Sequence, residues 1–223
     1  GMKDNDMTAV NELVKNVSLH QFLASTFIFF LIWINIDLIY TLIPNGDVYD
    51  EAMLVVFILS VVKIINTSLN VGATVLSYSK YYYYSLLFTV ILTVAAIYMN
   101  VKLIPLWGMN GAALASLISY IVYYLLLLIF VKVKVKVNPL SMRELYTFSI
   151  IVALFVMDYL FQNHISKYLF SLFRIELLGQ MLDSVIRTLL FSMLGIVTIY
   201  KLKISKQVND IIDNVLTFLK LTK

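Results

Sequence analysis

Residues 109–131 have the sequence MNGAALASLISYIVYYLLLLIFV, which contains no charged residue. A helix of this length covers about 34 Å, which is enough to cross the roughly 30 Å hydrocarbon core of a bilayer. The whole chain has the same character, because 61% of its 223 residues are hydrophobic and only 13% are charged. Soluble domains have about 45–50% and about 25%, respectively. The sequence therefore predicts an all-α integral membrane protein.

Outward from this stretch, further apolar segments have the length that a transmembrane helix requires. With 109–131 they predict about six spans, at residues 22–43, 52–76, 82–103, 109–131, 145–161 and 183–200. Pro44 to Asp47 end the first span, and Pro105 with Gly108 predicts a tight turn between the third and the fourth. The link at Pro105 therefore predicts a helical hairpin.

Two flanking segments, 7–19 and 204–219, place apolar residues on one helical face. We expect both to lie along the inner membrane surface, although packing against a separate partner domain would give the same pattern. The predicted division is an amphipathic segment at 1–20, a four-span bundle at 21–137, and two further spans with an amphipathic tail at 138–223.

The distribution of basic residues predicts the orientation, since basic loops stay on the cytoplasmic side. With six spans both termini share one side, and that side has most of the Lys and Arg, whereas the other has Lys102, Lys167 and Arg174. We therefore expect a multi-pass protein of the inner (cytoplasmic) membrane with both termini cytoplasmic. Its net charge of +4 then suits the membrane surface, and nucleic acid is not an expected partner. Lys132, Lys134 and Lys136 alternate with valine, and at this position they could contact anionic head groups. The period of two would also fit a β-strand.

The second and third predicted spans each contain a polar stripe at helical spacing. Lys63 lies near the middle of the second span, where a charge facing lipid costs about 2.5–3.5 kcal/mol, so it must face protein or a water-filled cavity. The two stripes could line a passage, or their hydroxyl groups could only bond neighbouring helices. Their members are Ser60, Lys63, Asn66, Thr67, Asn70, Thr74 and Ser77, followed by Ser85, Thr89, Thr93 and Asn100.

Three further charges lie inside predicted spans. Asp37 could pair with Lys63 across the first hairpin, which would neutralise both, or it could be a proton or cation site. Asp158 and Arg187 stand near the outer ends of the fifth and sixth spans, so we expect an ion pair between them rather than a role in substrate binding.

The link between the third and fourth spans contains an ordered motif of small and turn-forming residues. Gly111, Ala115 and Ser119 form a small-residue ridge that lets two helices approach closely. The motif as a whole resembles Wzx-type polysaccharide flippases of the multidrug/oligosaccharidyl-lipid/polysaccharide exporter superfamily. The matching residues are Asn100, Pro105, Gly108, Gly111, Ala112, Ala113, Ala115 and Ser116.

This resemblance implies a transporter that flips a lipid-linked oligosaccharide, of the undecaprenyl pyrophosphate type, by alternating access during polysaccharide biosynthesis, as for O-antigen or capsule. It implies two lobes around a cavity, whereas this chain has the spans of one, so we expect the carboxy-terminal lobe, with a missing N-terminal lobe or a second copy as partner. Lys63 is the candidate for the pyrophosphate, with Asn66, Asn70 and Asn100 beside it. No cofactor is expected.

Two other functions stay open: a drug or cation antiporter of the same superfamily, in which Asp37 binds the ion, and a non-transporting membrane scaffold for glycan assembly. An enzyme is not expected. The chain has no Cys, so thiolate metal sites are excluded. Its two His residues, His20 and His164, are isolated from each other in sequence.

Overall fold

A computed structural model describes residues 4–43, 52–162 and 176–221 of the chain. These ranges are helical and contain no strand, which confirms the predicted all-α class. The helices are α1 (Asp4–Ile34), α2 (Ile36–Leu42), α3 (Met53–Ser77), α4 (Tyr82–Phe130), α5 (Met142–Phe161), α6 (Glu176–Lys201) and α7 (Lys206–Leu221), with a π-helical turn at Val131–Val135. The turn residues Pro44 to Asp47 that end the first predicted span, together with His164, Lys167 and Arg174, lie outside the described residues.

Five helical segments in the described part of the chain are long and apolar enough to cross a membrane. They are Met7–Ile34, Met53–Ser77, Tyr82–Val135, Met142–Phe161 and Leu177–Lys201. The third contains both the third and the fourth predicted spans, because the chain reverses within it.

The reversal in α4 occurs at Gly108, whose φ of 54° and ψ of −128° are not helical. The rings of Phe88 and Phe130 lie 5.4 Å apart, although a straight helix would separate them by about 60 Å. α4 is therefore a helical hairpin, with a first arm at 82–107 and a second arm at 109–130. The arms meet so closely at the turn that a Cβ added to Gly111 would overlap the Leu103 carbonyl group.

The described helices form two compact units. Unit 1 contains residues 4–25 and 52–141, and unit 2 contains 26–43, 142–162 and 176–221. The sequence-based division at residues 20 and 137 differs from this grouping, because it kept the whole first span with the second, third and fourth. In the structure α1 contributes its first half to unit 1 and its second half to unit 2.

The core of unit 1 lies between α3, the second arm of α4 and the start of α1. Leu76, Leu127 and Val131 are fully buried there. Val14 of α1 belongs to the same cluster, and Val10 packs against it. This differs from the interfacial placement expected for 7–19: the apolar face of that segment is covered by its own unit, and the segment continues into the first span without a break.

The Lys132–Lys136 alternation lies in the π-helical turn rather than in a β-strand. A strand needs a neighbour to complete its hydrogen bonds, whereas here the amide of Val137 donates to the Val131 carbonyl within the same segment. Lys136 ends the turn in the left-handed conformation, with φ 61° and ψ 29°.

Unit 2 packs the end of α1 and α2 with α5 and α6. Its core contains Phe30, Ile34, Leu154 and Phe191, and the Phe30 and Phe155 rings meet edge to face at 5.1 Å. The first predicted span is not one helix, because Asn35 interrupts it: its side-chain amide donates to the Leu31 carbonyl at 2.8 Å, and α2 begins at the next residue.

α7 begins later than the amphipathic pattern from residue 204 predicted. Ile204 is buried before the helix, and the Ser205 hydroxyl caps the first turn by accepting from the Val208 amide. Ile211, Val215 and Phe218 are exposed along one side, as an interfacial helix requires.

Candidate functional site

Some polar residues of α3 share an exposed face, and others pack against neighbouring helices. Lys63, Asn70 and Thr74 are exposed, and Thr67 is half-buried between them. Positions 63, 67, 70 and 74 follow the helical repeat, so these side chains lie on one face. We name Lys63, Thr67, Asn70 and Thr74 the polar face of α3. It presents a cation, an amide and hydroxyl groups within an apolar helix of 25 residues.

Asn66 lies beside the polar face, is half-buried and packs against α4. The Tyr124 hydroxyl donates to the Asn66 side-chain oxygen at 2.5 Å and lies 3.2 Å from its backbone carbonyl oxygen. Tyr124 itself is buried, so this contact ties α3 to the second arm of α4. The tie engages the acceptor oxygen of the Asn66 side chain.

A second packing contact joins another side of α3 to α1. The buried Ser18 hydroxyl donates to the Ser68 carbonyl at 2.9 Å, while the Ser68 hydroxyl donates to Ile64 within α3. Neither Ser18 nor Tyr124 had been predicted as a partner of α3. A lone hydroxyl in an apolar helix gives no indication of its partner, so no sequence signal identifies them.

Three polar side chains of the stripe on the first arm of α4 donate hydrogen bonds to backbone carbonyl groups of their own helix. The Thr89 and Thr93 hydroxyl groups donate to the carbonyl groups of Ser85 and Thr89, and Asn100 donates to Ala96 at 2.8 Å. The two stripes meet where Ser77 of α3 and Ser85 of α4 share a hydrogen bond at 3.0 Å. Asn100 lies toward the hairpin tip, near the other end of the arm.

The small-residue motif shapes the hairpin. Gly108 supplies the positive φ at the tip, and Gly111, Ala115 and Ser119 are buried on the second arm. Ala112 and Ser116 are half-buried and share a bond within the helix, and Pro105 is exposed at the tip. These residues position the two arms.

Unit 2 contains a buried ion-pair cluster. Arg187 donates to Asp158 from Nε at 2.8 Å and from Nη2 at 2.6 Å, and its Nη1 lies 3.4 Å from Asp183. All three side chains are buried. The structure thus brings the predicted partners Asp158 and Arg187 together and adds Asp183, which the spacing of one helical turn before Arg187 could have indicated. Arg187 lies well inside α6 and not near its end. The two carboxylates compensate its charge at this buried position.

Next to Arg187 in the sequence, Thr188 forms hydrogen bonds with the Asn35 side chain. The Asn35 amide donates to the Thr188 hydroxyl at 2.9 Å, and that hydroxyl lies 3.3 Å from the Asn35 side-chain oxygen. The contact joins the break between α1 and α2 to α6. Its polar groups are mutually bonded and serve the packing of unit 2.

Asp37 of α2 is exposed and accepts a hydrogen bond from the Gln162 amide at 2.8 Å. It belongs to unit 2 and Lys63 belongs to unit 1, so the suggested pairing of these two residues stays a prediction. The hydrogen-bond partner that the structure assigns to Asp37 is a neutral side chain.

Comparisons of the chain with protein-family models, with curated proteins and with solved structures gave no significant match. The architecture alone defines the class: the chain is an α-helical, multi-pass membrane protein. Its distinctive features are the polar face of α3 and the buried ion-pair cluster of unit 2.

Proposed function

We propose that this chain takes part in moving a lipid-linked oligosaccharide across the cytoplasmic membrane by alternating access, as the likeness of its hairpin motif to Wzx-type flippases suggests. The observation that carries the proposal is the exposed ammonium group of Lys63 near the middle of α3. An ammonium in hydrocarbon is costly. A lysine that is exposed there suits a water-filled passage and an anionic ligand.

A pyrophosphate group has the charge and the acceptor oxygens that the polar face of α3 can bind. Lys63 would supply the positive charge, and the protein and lipid around a narrow passage would make its attraction to phosphate stronger than in bulk water. Asn70, exposed on the same face, would donate from its amide. Asn66 is held by Tyr124, so its amide donors are fixed in place before a ligand arrives.

Unit 1 offers one wall of such a passage. The opposite wall would come from a preceding lobe or from a second copy of this chain, because the polar face of α3 is exposed when the chain is alone. Both arrangements place protein rather than lipid against Lys63.

The test is complementation of glycan export with the intact protein carrying Lys63→Ala or Lys63→Arg. We expect the Ala variant to lose export and the Arg variant to retain part of it, because Arg keeps the charge. Lys102→Ala is the matched control, since Lys102 is an exposed lysine on the hairpin's first arm and should leave export unchanged. Normal export by Lys63→Ala at normal abundance would overturn the role of Lys63.

Asp37 separates this proposal from the antiporter alternative. Its exposed carboxylate accepts a hydrogen bond from the neutral Gln162 amide and would be the proton or cation site in that alternative. Export that survives Asp37→Asn but fails with Lys63→Ala supports the anionic substrate, whereas the reverse supports a cation. Export that survives removal of both charges supports a scaffold without transport.

A further inference from the structure

One end of unit 1 gathers lysines and tyrosines from two separate parts of the sequence. The Phe130 ring lies 4.5 Å from the Tyr84 ring and 5.9 Å from the Tyr81 ring. These contacts place the turn between α3 and α4 beside the end of the second arm. We name this surface the basic end, and its charged members are Lys80, Lys132, Lys134 and Lys136.

The four charged side chains that define the basic end are all positive. All four lysines are exposed, and none forms an ion pair within the described ranges. Tyr78 is 89% exposed and Tyr83 is 66% exposed, and the Lys80 ammonium lies 5.1 Å from the Tyr81 ring centroid. Tyrosine and lysine together are typical of the level of lipid head groups.

The backbone around Lys136 is fixed rather than loose. Val137 and Pro139 are buried, and the Asn138 amide donates to the Asn11 side chain of α1 at 2.8 Å. Between these anchors and the helix, Lys136 adopts a left-handed conformation that glycine or asparagine adopts more readily. Strained backbone of this kind clusters at functional sites.

Unit 2 also has a left-handed lysine after a long helix. Lys203 follows α6 with a φ of 50°, and it is the only other non-glycine residue with positive φ in the described part of the chain. Lys136 lies one residue, and Lys203 two residues, after a helical segment that is long and apolar enough to span a membrane.

We propose that the basic end binds the phosphate groups of anionic phospholipid head groups. The tyrosine rings would lie at the head-group level while the lysine side chains reach the phosphates, and the pinned turn would hold the charges in one layer. The proposal does not depend on transport, because every residue that carries it lies outside the polar face of α3.

The experiment uses the full chain in nanodiscs of equimolar phosphatidylglycerol and phosphatidylcholine, followed by native mass spectrometry of the lipids that stay bound. We expect phosphatidylglycerol to be enriched on the unsubstituted chain. Replacing Lys132, Lys134 and Lys136 together by Gln should reduce that enrichment at least tenfold, since each lysine near an anionic surface contributes about fivefold. The corresponding triple Arg variant should retain it.

Lys102→Gln is the matched control, and it should leave the enrichment unchanged because Lys102 lies toward the hairpin tip. Lys136→Asn removes one charge while keeping a residue that tolerates the left-handed conformation, so it should lower the enrichment without loss of fold. Unchanged enrichment in the folded Gln triple would overturn the proposal. Displacement of phosphatidylglycerol by an equal concentration of inorganic phosphate would also contradict it, since the site would then be one for free phosphate.

Discussion

Arg187 binds Asp158 through two parallel hydrogen bonds, at 2.8 Å and 2.6 Å, in the buried interior of unit 2. A planar guanidinium that meets both oxygens of a carboxylate forms hydrogen bonds roughly twice as strong as those between neutral groups. Because α5 supplies Asp158 and α6 supplies Arg187, this pair fixes the register of the two helices.

Arg187→Met should strongly destabilise unit 2, because it leaves Asp158 and Asp183 buried without the guanidinium. The expected loss is about 3–5 kcal/mol, the usual cost of breaking a buried pair from one side. The measurement is the SDS-induced unfolding of the purified chain, followed by circular dichroism. The double variant Asp158→Leu with Arg187→Met should lose less than the sum of the two single variants, and simple additivity would contradict the pairing.

Tyr124→Phe should weaken the tie between α3 and the second arm of α4. The variant removes the hydroxyl that Asn66 accepts from and keeps the ring, so we expect a loss of about 0.6–1.7 kcal/mol, the range for hydrogen bonds between membrane helices. The same unfolding assay reports it. Tyr120→Phe is the matched control on the same helix and should be nearly neutral; equal effects of the two variants would remove the special role of Tyr124.

Gly108→Ala should destabilise the hairpin through its backbone alone. No atom lies within 4 Å of the Cβ that the variant adds, but the φ of 54° is strained for alanine and costs about 1–3 kcal/mol. Gly195→Ala is the control within a regular helix, where the added Cβ meets only the end of the Leu154 side chain at 3.3 Å. A neutral Gly108→Ala variant together with a destabilised Gly195→Ala variant would contradict a reversal of the chain at Gly108.

Lys136→Gly should stabilise unit 1 while it lowers the binding of anionic lipid. Glycine adopts the left-handed conformation without a Cβ clash, which would raise the free energy of unfolding by about 1 kcal/mol, less the entropy that glycine loses on folding. The unfolding assay and the nanodisc experiment measure the two effects separately. A destabilised Gly variant would show that the lysine side chain supports the fold.

The sequence predicted features that depend on local pattern. Apolar length identified the helices, and Pro105 with Gly108 identified the reversal within α4, because turn chemistry is readable over a few residues. The similar depth of Asp158 and Arg187 in consecutive spans also predicted their pairing. These predictions required no knowledge of which faces meet.

Partnerships between distant helices were not predictable in this way. The Asn35 and Thr188 contact and the Asn66 and Tyr124 contact join residues far apart in sequence, and helical periodicity gives the face of a residue without its partner. The grouping of the first span failed to match the compact units for the same reason. Nothing in residues 22–43 indicates that their neighbours come from the end of the chain.

The division of α1 between the two units has a consequence for biogenesis. Ile34 and Phe30 leave the ribosome long before Leu154 and Phe191, the residues that cover them. All of α3 and α4 must be inserted in the interval. During synthesis the second half of α1 therefore lacks its packing partners until α5 and α6 have been made. Unit 2 can assemble only after α6 has entered the membrane.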